Sequence, residues 1–193
     1  MRVVGRRTAL RCGLIVLAML TVSAHTPYRQ WEVYRMKHLL IGTSREDAAS
    51  YPVGKQVAEL LVQTVPETRA RVTRARTVER LGSLIATDQL QVLLLSENHV
   101  SELAQGTGPF KAFGPIAIMR LFRFDRLVLV ARAEFPASHA WIIVRAFLDN
   151  AGAFNGMPPR PDDGAVPVHP GALAALNGEQ PPGEDVAERD GEP

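Results

Sequence analysis

Apolar positions from residue 37 onward alternate between short runs and spaced stripes. "KHLLIGT" (37–43) is an apolar run ended by glycine and predicts a first strand. Val53, Val57, Leu60, Leu61 and Val65 then recur at helical spacing, with Pro52 in a first turn that tolerates it and Ser50 before it as a candidate cap. "TRARVTRA" (68–75) follows Pro66 and reads as an edge strand with basic solvent-facing positions. Val78, Leu81, Leu84 and Ile85 make one stripe of a second helix over 77–88. "LQVLLLS" (90–96) is continuously apolar, the mark of a strand covered on both faces. A short third helix is expected over 98–104. "IAIMRLF" and "RLVLVARA" then read as two strands around Phe124 and Asp125. An amphipathic helix over 136–150 carries Trp141, Ile142, Val144, Phe147 and Leu148, and a short helical turn is expected at 171–176. Strand and helix alternating through three units, then a strand pair, predict an α/β mixed sheet with helices on both faces. The first strand is expected at its centre.

The 193 residues suit one domain with a sizeable core. Residues 37–177 form that lobe in this reading. The formal charge of +2 conceals a segregation. Residues 1–11 hold four arginines and no acid, whereas 178–193 hold six acids and one arginine. That acidic, Pro- and Gly-rich tail has no core residues and is expected to be disordered. With a near-neutral body between the two ends, nucleic acid is not an expected partner. Residues 1–24 read as a secretory signal: Arg2, Arg6, Arg7 and Arg11, then "CGLIVLAMLTVSA" with small residues at Val22-Ser23-Ala24. Thirteen helical residues rise roughly 20 Å, short of a membrane span. Membrane contact is therefore expected only if that signal stays uncleaved as an anchor. Residues 25–36 are read as a linker and the destination as periplasmic. Cys12, the only cysteine, lies ahead of the predicted cleavage point, so the expected mature chain has neither disulfide nor thiol chemistry.

No catalytic constellation or cofactor motif is visible. The five histidines are scattered singly, without the spacing of a metal site. The acid pairs Glu46-Asp47 and Asp162-Asp163 read as solvated turns. The chain is accordingly expected not to be an enzyme. In an α/β sheet, ligands bind outside the carboxyl ends of parallel strands. Here those ends are Gly42-Thr43-Ser44 and Ser96-Glu97-Asn98, with Ser50 and Tyr51 opening the helix after the first. Such residues either contact a ligand or cap the helices that follow.

The order of these pieces resembles the extracytoplasmic solute-binding subunits of the TAXI branch of TRAP transporters. "IGTSREDAASYPVGKQVAELL" is similar to the family's "IGTG…YYPVGGALAELL", and "RARTVERLGSLIATDQLQVLLLSEN" to "TGGSVENLRLLASGELDLALVQSD". "IAIMRLFRFDRLVLVARA" resembles "LRALASLYPEPLHLVVRA", and "VPVHPGA" (166–172) resembles "PLHPGA". The resemblance covers about residues 37–176. It implies a lobe of the type II periplasmic-binding-protein kind, a small organic anion as ligand, a TRAP membrane subunit as partner and a role in transport. It would place the ligand against Gly42, Thr43, Ser44, Ser50, Tyr51, Ser96, Glu97 and Asn98.

This chain departs from the family in two ways. Ala133 runs almost directly into "FPASHAWIIVRAFLDN", where the family crosses to a second lobe, so one wall of the family's ligand cleft is expected to be missing. The family's glycine-rich loop becomes Ser44-Arg45-Glu46-Asp47-Ala48-Ala49-Ser50, whose two carboxylates repel an anion. Anion binding is expected to be weak or absent. The alternative is a periplasmic interaction or sensing module without a transport function.

Overall fold

The computed structural model describes residues 38–153, 156–157 and 166–182. The expected signal (1–24), the linker (25–36), Asp162, Asp163 and the tail beyond Pro182 lie outside them. Six strands form one mixed sheet: β1 (Leu40–Ser44), β2 (Arg71–Ala75), β3 (Val92–Ser96), β4 (Ile118–Phe124), β5 (Leu127–Arg132) and β6 (Gly156–Met157), in the order β2-β1-β3-β5-β4-β6. The helices are α1 (Ser50–Thr64), α2 (Val78–Ala86), α3 (Glu97–Gln105), α4 (Ala137–Asp149) and α5 (Pro170–Leu176). β1 pairs in parallel with β2 and β3, whereas β5 runs antiparallel between β3 and β4. The expected α/β sheet is therefore present, with one change of position. β1 is interior but lies next to the edge strand β2, and β3 and β5 hold the centre. β1 lies beside the edge because β2 pairs on its outer side and, among the described residues, no strand pairs beyond β2.

Side-chain alternation divides the core into two layers. Ile41, Val92, Leu94, Leu127, Leu129 and Ala131 point to the face covered by α1, α4 and α5. Leu93, Leu95, Val128 and Val130 point to the other face, under Leu81 and Ile85 of α2, Val100 and Leu103 of α3, and Phe110 of a 3-10 turn. The unbroken apolar run of β3 follows directly, since both of its faces are covered. At Leu121 a bulge interrupts the β4–β5 register, which passes from Arg120↔Val130 to Phe122↔Leu129. Two residues there oppose one, so the inward face of β4 switches along its length. Ile118 lies in the α2–α3 layer, while Phe122 and Phe124 lie in the α4 layer.

Close approach explains the glycine of "YPVG". A Cβ on Gly54 would stand 2.9 Å from Thr43 Cγ2 and 3.1 Å from Val72 Cγ2, so α1 can lie this near β1 and β2 only with hydrogen at that position. The "VHPGA" segment closes the far side. Arg120 N–H donates to the Pro167 carbonyl (2.8 Å) and His169 N–H to the Arg120 carbonyl (2.9 Å), which sets Val168 beside β4. His169 then starts α5. Its Nδ1 accepts from Gly171 N–H (3.2 Å), and its Nε2 lies 3.0 Å from the Phe135 carbonyl. That pattern requires a neutral ring with the proton on Nε2.

Burial of His169 holds its pKa below the ordinary 6.5, against the opposing hydrogen bond to Phe135. The unfolded chain therefore binds this proton more readily than the folded one. Stability from His169 is full above about pH 6.5 and is lost as pH falls from there through the folded value. Urea midpoints measured from pH 7.5 to 5.5 should decline in the wild type. They should flatten in His169→Asn, which keeps a capping acceptor that does not titrate.

Candidate functional site

The parallel strands β1, β2 and β3 end on one edge of the sheet, which brings the two predicted clusters to the same side. Gly42, Thr43, Ser44 and Ser50 are buried there, Tyr51, Ser96 and Glu97 are half-buried, and Asn98 is exposed. Most of the first cluster's polar groups have partners within the chain. Thr43 Oγ donates to the Thr73 carbonyl (2.9 Å). Ser50 Oγ donates to the Asp47 carbonyl (2.8 Å) and accepts from Ser44 N–H (3.3 Å), while Ser44 Oγ accepts from Glu46 N–H (3.1 Å). The Tyr51 ring lies under the Arg74 guanidinium, 4.8 Å from ring centre to Cζ.

Ser50 is not the cap its position suggested. α1 begins at Ser50 itself, and Ala49 precedes it without a side-chain cap. Nor does Glu46 belong to a merely solvated turn. Its Oε2 accepts from Val78 N–H (2.9 Å), the first residue of α2, while the Thr77 side chain accepts from Arg80 N–H (3.2 Å). The loop before α1 thus supplies a carboxylate to the N-terminus of α2, where peptide dipoles favour negative charge. No local rule reads that contact from sequence, because Glu46 and Val78 are joined only by the parallel pairing of β1 with β2.

The second cluster has the same character. Ser96 Oγ lies 2.9 Å from His99 Nδ1 instead of capping α3. Glu97, the first residue of α3, pairs through Oε1 with Nη2 of Arg120. Arg120 is 2 % exposed, so its charge is compensated almost entirely by this carboxylate. Arg120 Nε, Glu97 Oε2 and Asp47 Oδ2 are buried without a hydrogen-bond partner. Sequence reasoning passed over Arg120, although a lone cation inside the apolar run "IAIMRLF" is itself a signal, because a buried charge needs a partner. Which acid it meets depends on the bulge at Leu121 and could not be read locally.

Among the described residues, no group of three His, Cys, Asp or Glu side chains could hold a metal ion, and no helix is long and apolar enough to cross a membrane. No family model matches the chain, and no curated protein matches its sequence.

Proposed function

We propose that this protein is a single-lobed, extracytoplasmic relative of TAXI solute-binding subunits in which capture of a small anion has given way to contacts within the chain. The observation that carries this reading is the hydrogen bond from Val78 N–H to Glu46. At the edge where such a lobe would receive a ligand carboxylate, the α2 N-terminus already holds one, and the first turn of α3 contains Glu97. Support for the family comes from how the similar segments fall on the elements. They make β1 with its loop and α1, then β2–α2–β3, then the β4–β5 hairpin, and last the start of α5. The same occupied termini favour an interaction or sensing module over a transport subunit. No residue in the reading performs catalysis.

The test replaces Glu46 and supplies carboxylate from solution. Glu46→Ala should lower stability by about 1 kcal/mol, the usual worth of an N-terminal cap. Succinate, glutamate or a 2-oxoacid should restore part of the loss by occupying the vacated N–H groups, with no comparable effect on the wild type. Titration calorimetry on the wild type should give dissociation constants weaker than about 1 mM, or no heat. Micromolar affinity in the wild type would overturn the proposal.

A further inference from the structure

The edge strand β2 carries charge that the rest of the fold does not balance. Residues 69–80 hold Arg69, Arg71, Arg74, Arg76 and Arg80 against a single acid, Glu79, and all six are exposed. The described ion pairs engage Lys55, Arg120, Arg132 and Arg145, and none involves Arg69, Arg71, Arg74 or Arg76. The backbone is open at the same place. Arg71 N–H donates to Leu39 O (2.9 Å) and Ala75 O accepts from Arg45 N–H (3.0 Å), so residues 71, 73 and 75 face β1. The main-chain N–H and C=O of Val72 and Arg74 therefore point away from the sheet. Arg71 lies on the α2 face of the strand and Arg74 on the α1 face, against Tyr51. Charged residues on an edge strand discourage pairing with further strands. That role accounts for Arg71 and Arg74 but not for Arg69, Arg76 and Arg80, which flank the strand.

We infer that this edge is a docking strip for the acidic segment 183–193 of the same chain. Glu184, Asp185, Glu188, Asp190 and Glu192 oppose one arginine, Arg189, so the segment carries the same net charge as the strip with the opposite sign. It can also reach. α5 packs on α4 and β4, and β4 lies four strand spacings from β2, about 19 Å. Eleven residues span up to about 36 Å when extended, so after that crossing about five of them can lie along β2. Arginine forks on both faces of an open edge suit an extended carboxylate-bearing strand, where main-chain bonds align the segment and the charges select it. The strip borders the candidate site at Tyr51 and at the start of α2, but the inference rests on the unbalanced arginines and the open backbone and does not use the anion reading above.

Amide hydrogen exchange on the full chain tests it. In the wild type, Val72 and Arg74 N–H should exchange roughly tenfold more slowly than in a variant with Glu184→Gln, Asp185→Asn, Glu188→Gln, Asp190→Asn and Glu192→Gln. Sodium chloride at about 1 M, where screening acts within about 3 Å, should remove the difference. A variant with Arg71→Gln and Arg74→Gln, checked for folding by circular dichroism, should show the fast rate with the tail intact. The neutral-tail variant should also bind vesicles of anionic phosphatidylglycerol or an oligonucleotide more tightly than the wild type, because the strip is uncovered. Equal exchange rates with charged and neutral tails would overturn the inference. So would equal affinity of both proteins for vesicles or oligonucleotide, which would leave the strip free for those polyanions.

Discussion

Phe147→Ala is expected to cost about 3–5 kcal/mol, the range for emptying a buried aromatic site. Phe147 is fully buried on α4 and joins two rings from β4. Its ring centre lies 5.1 Å from that of Phe122 and 5.5 Å from that of Phe124, and those two rings are 5.2 Å apart. Tilted and edge-on arrangements of this kind add to the gain from burial. The cavity should stay open, since two of its walls are rings anchored in a strand and cannot collapse without breaking the β4–β5 pairing. The neighbouring tryptophan behaves differently. Trp141 was expected in the core, but it is only half-buried and its indole N–H donates to the Glu179 carbonyl (2.9 Å). Trp141→Ala should therefore cost roughly half as much as the phenylalanine substitution. Urea denaturation of both variants gives the comparison through the shift in midpoint at constant slope. A larger loss for Trp141→Ala would show that the sheet-facing side of α4 is assigned wrongly.

Gly171→Ala is the second large effect, at about 3 kcal/mol, the upper end of the usual penalties for overfilling. A Cβ at Gly171 would stand 2.0 Å from the Ala137 carbonyl oxygen and 2.8 Å from its carbon. Both atoms are main chain, so no rotamer change relieves the clash and α5 must move off α4. That movement also separates His169 from Phe135. Emission from Trp141 should shift to longer wavelength as its contact with Glu179 loosens. Ala137→Gly on the same background should recover nothing, because the obstructing atoms remain. Recovery by that second substitution would place the obstruction in a side chain and contradict the packing described.

Elements that depend on local periodicity were legible in the sequence. The unbroken apolar run at 90–96 announced a strand covered on both faces, and the 3.6-residue stripes of α1 and α2 announced their buried sides, whereas in α4 only Val144 and Phe147 of the expected stripe are buried. Contacts set by long-range pairing were not. Thr43, Ser44 and Ser50 looked like ligand-facing polar residues because nothing local shows that Thr73, Asp47 and one another satisfy them. Trp141 and Phe147 occupy the same apolar stripe, and only the position of α5 and Glu179 decides which of them keeps a wet edge. Arg120 illustrates both limits. Its oddity inside a strand was readable, but its side of the sheet depends on one extra residue in the register of β4.

The hydrogen bonds that tie Arg120 to Pro167 and His169 join positions roughly fifty residues apart, and closing a loop of that length costs on the order of 3 kcal/mol in chain entropy. The β1–β3 pairing spans a similar separation, but the intervening β2 is itself paired with β1, and β4 and β5 form a hairpin that adds to β3. The molecule therefore consists of a body able to assemble progressively along the chain and a clasp, residues 166–178, that must come back to it. Such a clasp is the last piece to arrive during folding and the first to let go. Opening it exposes the Phe122 and Phe147 layer while β1, β2 and β3 stay paired, so damage confined to α5 can cost the protein no more than the free energy of releasing the clasp.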